Sequence, residues 1–133
     1  MGTQEIRFIG KREFKITTRG HEIRADLPES AGGDDLAPTP SELFVASVGS
    51  CVALFVGRYM ETAKLNAEGL SLKVDWEFAE DKSRISDITI SIDVPNAVLG
   101  ARKKAVLAAA HKCTIHNTLK QPPNINIDVE EST

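Results

Sequence analysis

The chain has 133 residues, a length that suits one domain, and we predict a single domain over residues 1–133. Hydrophobic residues make up 41% and charged residues 26% of the chain, as is ordinary for a globular protein. The net charge is −3, and the lysines and arginines are scattered along the sequence. Because phosphate contacts need a clustered basic face, this charge argues against a nucleic-acid partner.

The N-terminal segment MGTQEIRFIGKRE has no apolar stretch of signal-peptide length. The longest apolar run, residues 43–57, has 15 residues, which is shorter than a membrane span requires and suits a buried helix. We therefore predict a cytoplasmic protein with no membrane partner. In that reducing compartment the two cysteines are more often catalytic, metal-bound or inert than joined in a structural disulfide.

The first third of the chain alternates apolar and polar residues in the segments EIRFIG, EFKITT and EIRADL. The apolar positions of these segments are Ile6, Phe8, Phe14, Ile16, Ile23, Ala25 and Leu27. Period-two patterning favours half-buried strands, and Gly10 with Lys11 and Arg19 with Gly20 favour turns between them. We predict a three-stranded antiparallel meander.

A loop rich in proline, glycine and aspartate covers residues 28–40 and leads into a long central helix. Thr39 is the expected N-cap, Pro40 the first helical residue and Glu42 the third, which makes a capping box. We predict that this helix runs to about residue 66. Since residues 43–57 are apolar almost all round, the helix must be covered on every side, and we expect a second subunit to cover part of it.

Two strands, a second helix and a last strand complete the prediction. GLSLKVDWEF and ISDITISIDV alternate as strands. The second helix is expected to start at Asn96 as its N-cap and to bury Leu99, Val106 and Ala110. NINIDVE predicts a last strand with three inward residues, Ile125, Ile127 and Val129. The predicted fold class is α+β.

The two cysteines lie 62 positions apart, and their spacing alone is a weak signal. Cys51 is in the middle of the apolar helix, where a free cysteine is commonly a small buried hydrophobe. Cys113 follows the second helix among polar residues, and is better placed for chemistry. The hypothesis of a reactive pair therefore requires that the fold brings the two sulfurs together.

Two of the three histidines, His111 and His116, flank Cys113. The spacing is compatible with metal ligands, but a zinc site needs further ligands, and short clusters of this kind have a high false-positive rate. We predict no metal and no cofactor. For His111 we favour a role at the helix end, where the helix dipole favours a cation. An effect of His116 on the Cys113 sulfur is the alternative to metal binding. His21 is predicted to be a turn residue.

The segments PSELFVASVGSCVA and CTIHNTL together resemble the OsmC/Ohr family, in its OsmC-like branch. The residues that match the first motif are Pro40, Glu42, Leu43 and Cys51; those that match the second are Cys113, Asn117 and Leu119. The resemblance covers nearly the whole chain. Thr114 and His116 stand where the family usually has proline and serine, and Ser41 stands where its peroxidase branches often carry a glutamate.

The resemblance implies an OsmC-like fold, an intertwined homodimer and a thiol-dependent peroxidase. Cys51 attacks an organic hydroperoxide as a thiolate and becomes a sulfenic acid. Cys113 condenses with it to a disulfide, and an external dithiol, of the dihydrolipoyl or thioredoxin-like kind, reduces that disulfide. The alternative is a non-catalytic, stress-associated dimer of the same fold that binds a small apolar ligand.

Arg19 and Glu42 are the remaining predicted catalytic residues. The segment TTRGHEIR resembles the family's R-x-H or R-x-G strand turn, and by this position Arg19 is the cation that stabilises the thiolate, with Arg7, Arg12 and Arg24 as rivals. Glu42 is expected either to orient Arg19 or only to cap the helix. Nine residues of helix separate Glu42 from Cys51 by about 13.5 Å along the axis and place them on opposite sides. We therefore expect active sites at the subunit interface, with Arg19 and Glu42 of one subunit facing the cysteines of the other.

Four apolar residues are predicted to line the entry for an alkyl peroxide: Phe44, Val48, Phe55 and Leu119. Ordinary core packing is the competing interpretation for each of them.

Overall fold

The computed structural model describes residues 1–132, and these form an α+β fold of five strands and three α-helices. The elements in chain order are β1 (Glu5–Gly10), β2 (Glu13–Thr18), β3 (His21–Ala25), α1 (Pro40–Thr62), β4 (Ser71–Phe78), β5 (Ile85–Asp93), α2 (Lys103–Ala110) and α3 (Thr114–Lys120). The predicted fold class and the order of the first six elements are confirmed.

The first three strands form the predicted antiparallel sheet, in the order β1-β2-β3. Lys11 and Arg19 turn the chain with left-handed φ values of 49°. Across the first pair of strands Phe8 lies opposite Phe14, with ring centroids 5.7 Å apart in an edge-to-face arrangement. Aromatic cross-strand pairs of this kind fix the register of a sheet.

The apolar face of this sheet is buried only in part. Ala25 is buried and Ile16 and Leu27 are half-buried, as predicted. The prediction was wrong for four residues: Ile6 and Phe8 are 63% and 65% exposed, and Phe14 and Ile23 are also exposed. The alternation of a strand indicates which side is apolar, not what covers it. Contiguous exposed apolar surface of this kind is typical of interaction sites.

Asp26 holds the loop that follows β3. Its residue is only 2% exposed, and its carboxylate accepts the N–H groups of Leu27 at 2.7 Å and Leu36 at 3.0 Å. The N–H of Leu36 is the strongest influence, and with those of Leu27 and Asp34 it lowers the pKa of Asp26 against the opposing effect of burial.

We expect Asp26→Asn to be less stable than the native protein at pH 7. A carboxylate whose pKa is lowered by folding stabilises the protein above the pKa of the unfolded chain, about 3.9, and loses that contribution as the pH falls through the folded value. The free energy of unfolding, measured with urea at several pH values, should therefore differ between the two proteins above pH 5 and converge below pH 4. Asp35→Asn, in the same loop, is the control; an equal, pH-independent loss in both variants would contradict the prediction.

The capping box at the start of α1 is confirmed. The N–H of Glu42 donates to the Thr39 hydroxyl at 3.1 Å, and the Glu42 carboxylate accepts the N–H of Thr39 at 2.8 Å. The helix ends at Thr62, earlier than predicted. Its buried residues are Val45, Val48, Val52, Val56 and Met60, whereas Leu54 is 56% exposed.

The 15-residue length of the apolar run 43–57 argues against a membrane span, but the whole of α1 is longer than that run. Its 23 residues are long and apolar enough to span a membrane, with 33% of its most apolar window buried within residues 1–132. The core helix of a soluble domain meets the same test of length and composition.

Gly49 allows β4 to pack closely on the first half of α1. A Cβ atom at this position would lie 2.9 Å from the Val74 side chain, which is closer than carbon atoms approach. Along β4 and β5 the side chains alternate between half-buried and exposed, as predicted.

Three predictions for the last third of the chain are wrong. Asn96 does not cap a helix but donates from its side-chain amide to the carbonyl of Glu68 at 2.8 Å, and α2 starts at Lys103 after a 3-10 turn. The segment after Cys113 forms a third helix, α3, which was not predicted. No strand is present in residues 121–132, and the expected inward residues are exposed, Ile125 by 79%, Ile127 by 84% and Val129 by 88%.

The chain divides into two compact units. The first contains residues 1–49 and 73–91, and the second contains residues 50–72 and the chain from 92 onward. The N-terminal sheet, the loop and the start of α1 belong to the first unit. Both cysteines and all of α2 and α3 belong to the second.

Candidate functional site: a hydrogen-bonded pair of thiols

The structure brings the two sulfurs together. Cys51 lies on α1 and Cys113 directly precedes α3, and the Cys113 thiol shares a hydrogen bond with Cys51. Both cysteines are free thiols. Cys51 is half-buried, whereas Cys113 is fully buried. A peroxide or a reagent from solvent therefore reaches Cys51 first.

Cys113 is held in place as the N-cap of α3. Its Sγ accepts the N–H of His116 at 3.4 Å, and its carbonyl accepts the N–H of Asn117 at 3.0 Å. An N-cap side chain satisfies one of the free N–H groups in the first helical turn. The preferred caps are serine, threonine, aspartate and asparagine, so a cysteine is a weak signal, and this explains why α3 was missed.

The pKa of Cys51 is lowered although the thiol is partly buried. Burial is the largest single influence and raises the pKa, but the N–H groups of Ile115 and Thr114 and the thiol of Cys113 donate to the sulfur and together outweigh it. Hydrogen bonds to the charged form favour that form. The N–H groups at the start of α3 thus stabilise the Cys51 thiolate, a role that was predicted for a cationic side chain.

The pKa of Cys113 is raised. Burial is the main cause, and the hydrogen bond with Cys51 adds to it, while the N–H groups of His116 and Ile115 oppose it. One sulfur of the pair is therefore biased towards the thiolate and the other towards the thiol. Since the thiolate is the nucleophile, Cys51 is the more readily activated of the two thiols.

Arg19 and Glu42 both lie in the first unit. Arg19 is exposed at the β2–β3 turn and makes no hydrogen bond or ion pair within residues 1–132. The Glu42 carboxylate makes the capping interaction with Thr39. Their catalytic roles stay predictions.

The rival arginines are already engaged. Arg7 pairs with Glu5 at 2.9 Å, and Arg24 pairs with Glu22 at 2.9 Å and with Glu13 at 3.3 Å. Arg12 donates to the carbonyl of Lys11 at 3.2 Å. Of the four arginines near the N-terminus, Arg19 is therefore the one whose guanidinium is free for another group within the described part of the chain.

The four predicted entry residues lie in different surroundings. Val48 is buried, Phe44 and Phe55 are half-buried, and Leu119 is 46% exposed on α3. The guanidinium of Arg58 lies over the Phe55 ring, 5.6 Å from its centroid. The exposure favours Phe55 and Leu119, which share the second unit with the thiols, over Val48 as residues that a substrate can reach.

The predictions for the histidines are confirmed in part. His111 is the C-cap of α2, as expected, but His21 is the first residue of β3 and not a turn residue. The backbone N–H of His116, rather than its ring, is the group observed on the Cys113 sulfur. Among residues 1–132 no three or more histidine, cysteine, aspartate or glutamate side chains are arranged to hold a metal ion.

The fold and the paired thiols define an α+β dithiol protein. The sequence profile of the OsmC-like proteins matches residues 32–128, and the chain belongs to this family, as the resemblance predicted. No curated protein matches the sequence.

Solved structures share this fold at low sequence identity. A protein from Psychrobacter arcticus, named for osmotic stress induction and a detoxification response, has a TM-score of 0.81 and 22% identity, with 89% of this chain and 88% of that chain covered. An organic hydroperoxide resistance protein from Legionella pneumophila has a TM-score of 0.65 and 17% identity, covering 90% and 89%. An organic hydroperoxide resistance protein from Elizabethkingia anophelis has a TM-score of 0.65 and 16% identity, with 92% of this chain and 89% of that chain covered.

Proposed function

We propose that the protein is a thiol-dependent peroxidase that reduces organic hydroperoxides. The observation that carries the proposal is the hydrogen-bonded pair of Cys51 and Cys113, in which the pKa of the more accessible thiol is lowered and that of the buried thiol is raised. The names of some structural relatives point in the same direction, since they are organic hydroperoxide resistance proteins.

The proposed reaction has three steps. The Cys51 thiolate attacks the peroxide, the O–O bond breaks, the alcohol leaves after taking a proton, and Cys51 becomes a sulfenic acid. Cys113 then attacks that sulfur, so that an S–S bond forms and the hydroxyl leaves as water. An external dithiol reduces the disulfide and is itself oxidised. The adjacent sulfurs need little motion for the second step.

The proposed functional unit is a homodimer with active sites at the interface. It is supported by the exposed apolar face of the first sheet and by the alternating exposed residues Ile125, Ile127 and Val129. Both would be covered if residues 124–130 of one subunit packed as a strand on the β1–β3 sheet of a second copy. Arg19, which has no partner within residues 1–132, would then be available to the thiols of the other subunit.

The test is a steady-state assay with several hydroperoxides and two reductants. We expect turnover of cumene and tert-butyl hydroperoxides to exceed that of hydrogen peroxide, because the proposed entry residues that a substrate can reach, Phe55 and Leu119, are apolar. Dihydrolipoamide and thioredoxin, supplied separately, distinguish the two classes of reductant. Inactivity with every peroxide, together with two unreacted thiols after stoichiometric cumene hydroperoxide, would favour the non-catalytic alternative.

A further inference from the structure

Two imidazole rings lie on either side of the link that carries Cys113. His111 caps the end of α2, and His116 is the third residue of α3. Their ring centroids are 5.8 Å apart, with the ring planes inclined at 40°. The backbone N–H of His116 lies 3.4 Å from the Cys113 sulfur, so rotation of the His116 side chain can bring its imidazole to this sulfur.

The buried thiol needs a proton acceptor when it reacts. Cys113 has a raised pKa, and its proton is engaged with Cys51 in the reduced pair. Once the Cys51 sulfur is oxidised, Cys113 must attack it as a thiolate. A nearby base therefore accelerates this step if its charge changes near neutral pH, which is the property of imidazole.

The chemistry of the surrounding elements leaves the histidines as the available bases. The other ionisable side chains on α2, α3, the link between them and the second half of α1 are Lys103, Lys104, Lys112, Lys120, Arg58, Tyr59 and Glu61. Lysine and arginine side chains ordinarily carry their protons at neutral pH and do not act as bases there. Glu61 is ten residues beyond Cys51 on α1, about 15 Å along the helix axis, and Tyr59 is about 12 Å away.

Resting on the proposed function, we infer that His116 accepts the proton of Cys113 when this thiol attacks the oxidised sulfur of Cys51. The S–S bond forms, the group on Cys51 leaves, and with a sulfenic acid the imidazolium returns the proton to the departing hydroxyl, so that water is released and the imidazole is neutral again. The step needs no oxidant beyond the hydroperoxide that made the sulfenic acid.

His111 is a positioning residue in this scheme. Its exposed ring contacts the half-buried ring of His116 and limits the orientations that the His116 imidazole adopts.

The test uses the aromatic disulfide DTNB, which does not depend on peroxidase activity. The Cys51 thiolate releases one thionitrobenzoate from DTNB and forms a mixed disulfide; Cys113 then attacks this disulfide and releases a second. In His116→Gln we expect the first release to stay within about twofold of the native rate and the second to slow about tenfold or more at pH 7.5. The native second phase should be faster than that of the variant at neutral pH, and the difference should narrow as the pH falls from 8 to 5, because a protonated imidazole accepts no proton.

His21→Gln, on β3, is the matched control and should leave both phases unchanged. His111→Gln should slow the second phase by less than His116→Gln and keep its pH dependence. An unchanged second phase and pH profile in His116→Gln would overturn the inference. If hydroperoxide leaves the native thiols untouched while the second phase still depends on His116, the proposed function fails and the role of His116 stands.

Discussion

Cys51→Ser is expected to abolish the reaction with cumene hydroperoxide, with a loss on the order of 10³-fold or more in the second-order rate constant. A serine hydroxyl does not ionise near neutral pH, so the hydrogen bonds from the start of α3 no longer stabilise a nucleophile. The measurement is the loss of peroxide and of free thiols in a single turnover. Retention of the native rate would show that the accessible thiol is not the attacking group.

Cys113→Ser is the matched variant, and its expected result differs. The serine hydroxyl can cap α3 and can donate to Cys51, so the first oxidation should proceed within about threefold of the native rate. Without the second sulfur the sulfenic acid should accumulate and be trapped by dimedone, observed as an increase in mass. We expect two thiols to be lost in the native protein and one in this variant. Rapid loss of both thiols in the native protein without formation of a disulfide would contradict the proposed reaction between Cys51 and Cys113.

The pH dependence of the first step follows from the direction of the shift on Cys51. Because folding lowers the pKa of Cys51, the rate with hydroperoxide should reach its plateau at a lower pH than for a free thiol. Cys113→Ala removes one donor and should move the midpoint to higher pH.

Ile127→Glu is expected to convert the proposed dimer into monomers, with the dimer Kd rising about 100-fold or more. A symmetric dimer carries each change twice, and a carboxylate placed on an apolar sheet face loses its hydration without gaining a partner. Sedimentation velocity over a range of protein concentrations measures the effect.

Val98→Glu is the control. Val98 is 93% exposed, and its replacement by glutamate introduces the same charge outside residues 124–130. It should leave the dimer Kd within about twofold of the native value. A native protein that is monomeric at about 100 μM would contradict the dimer proposal. A dimer whose Kd is unaffected by Ile127→Glu would show that residues 124–130 do not pack on the sheet of the second copy.

Local features were predictable where the determining interactions are near in sequence. The capping box of Thr39 and Glu42 and the turns at Lys11 and Arg19 were read correctly, because the groups that satisfy the backbone are within four residues. The five strands were equally clear, since the period of two is set by the pleat. The motif residues identified the family, which the profile over residues 32–128 bears out.

The sequence by itself thus determined the fold class, the first six elements, the family and the identity of the two thiols. Only the tertiary structure decided which thiol is accessible, that the N–H groups at the start of α3 stabilise Cys51, and that the His116 ring contacts that of His111. It also decided that apolar side chains of the β1–β3 sheet and of residues 124–130 are exposed to solvent in the single chain. The physical reason is that burial and hydrogen bonding between distant segments depend on which surfaces meet, and periodicity along one segment carries no information about its partner.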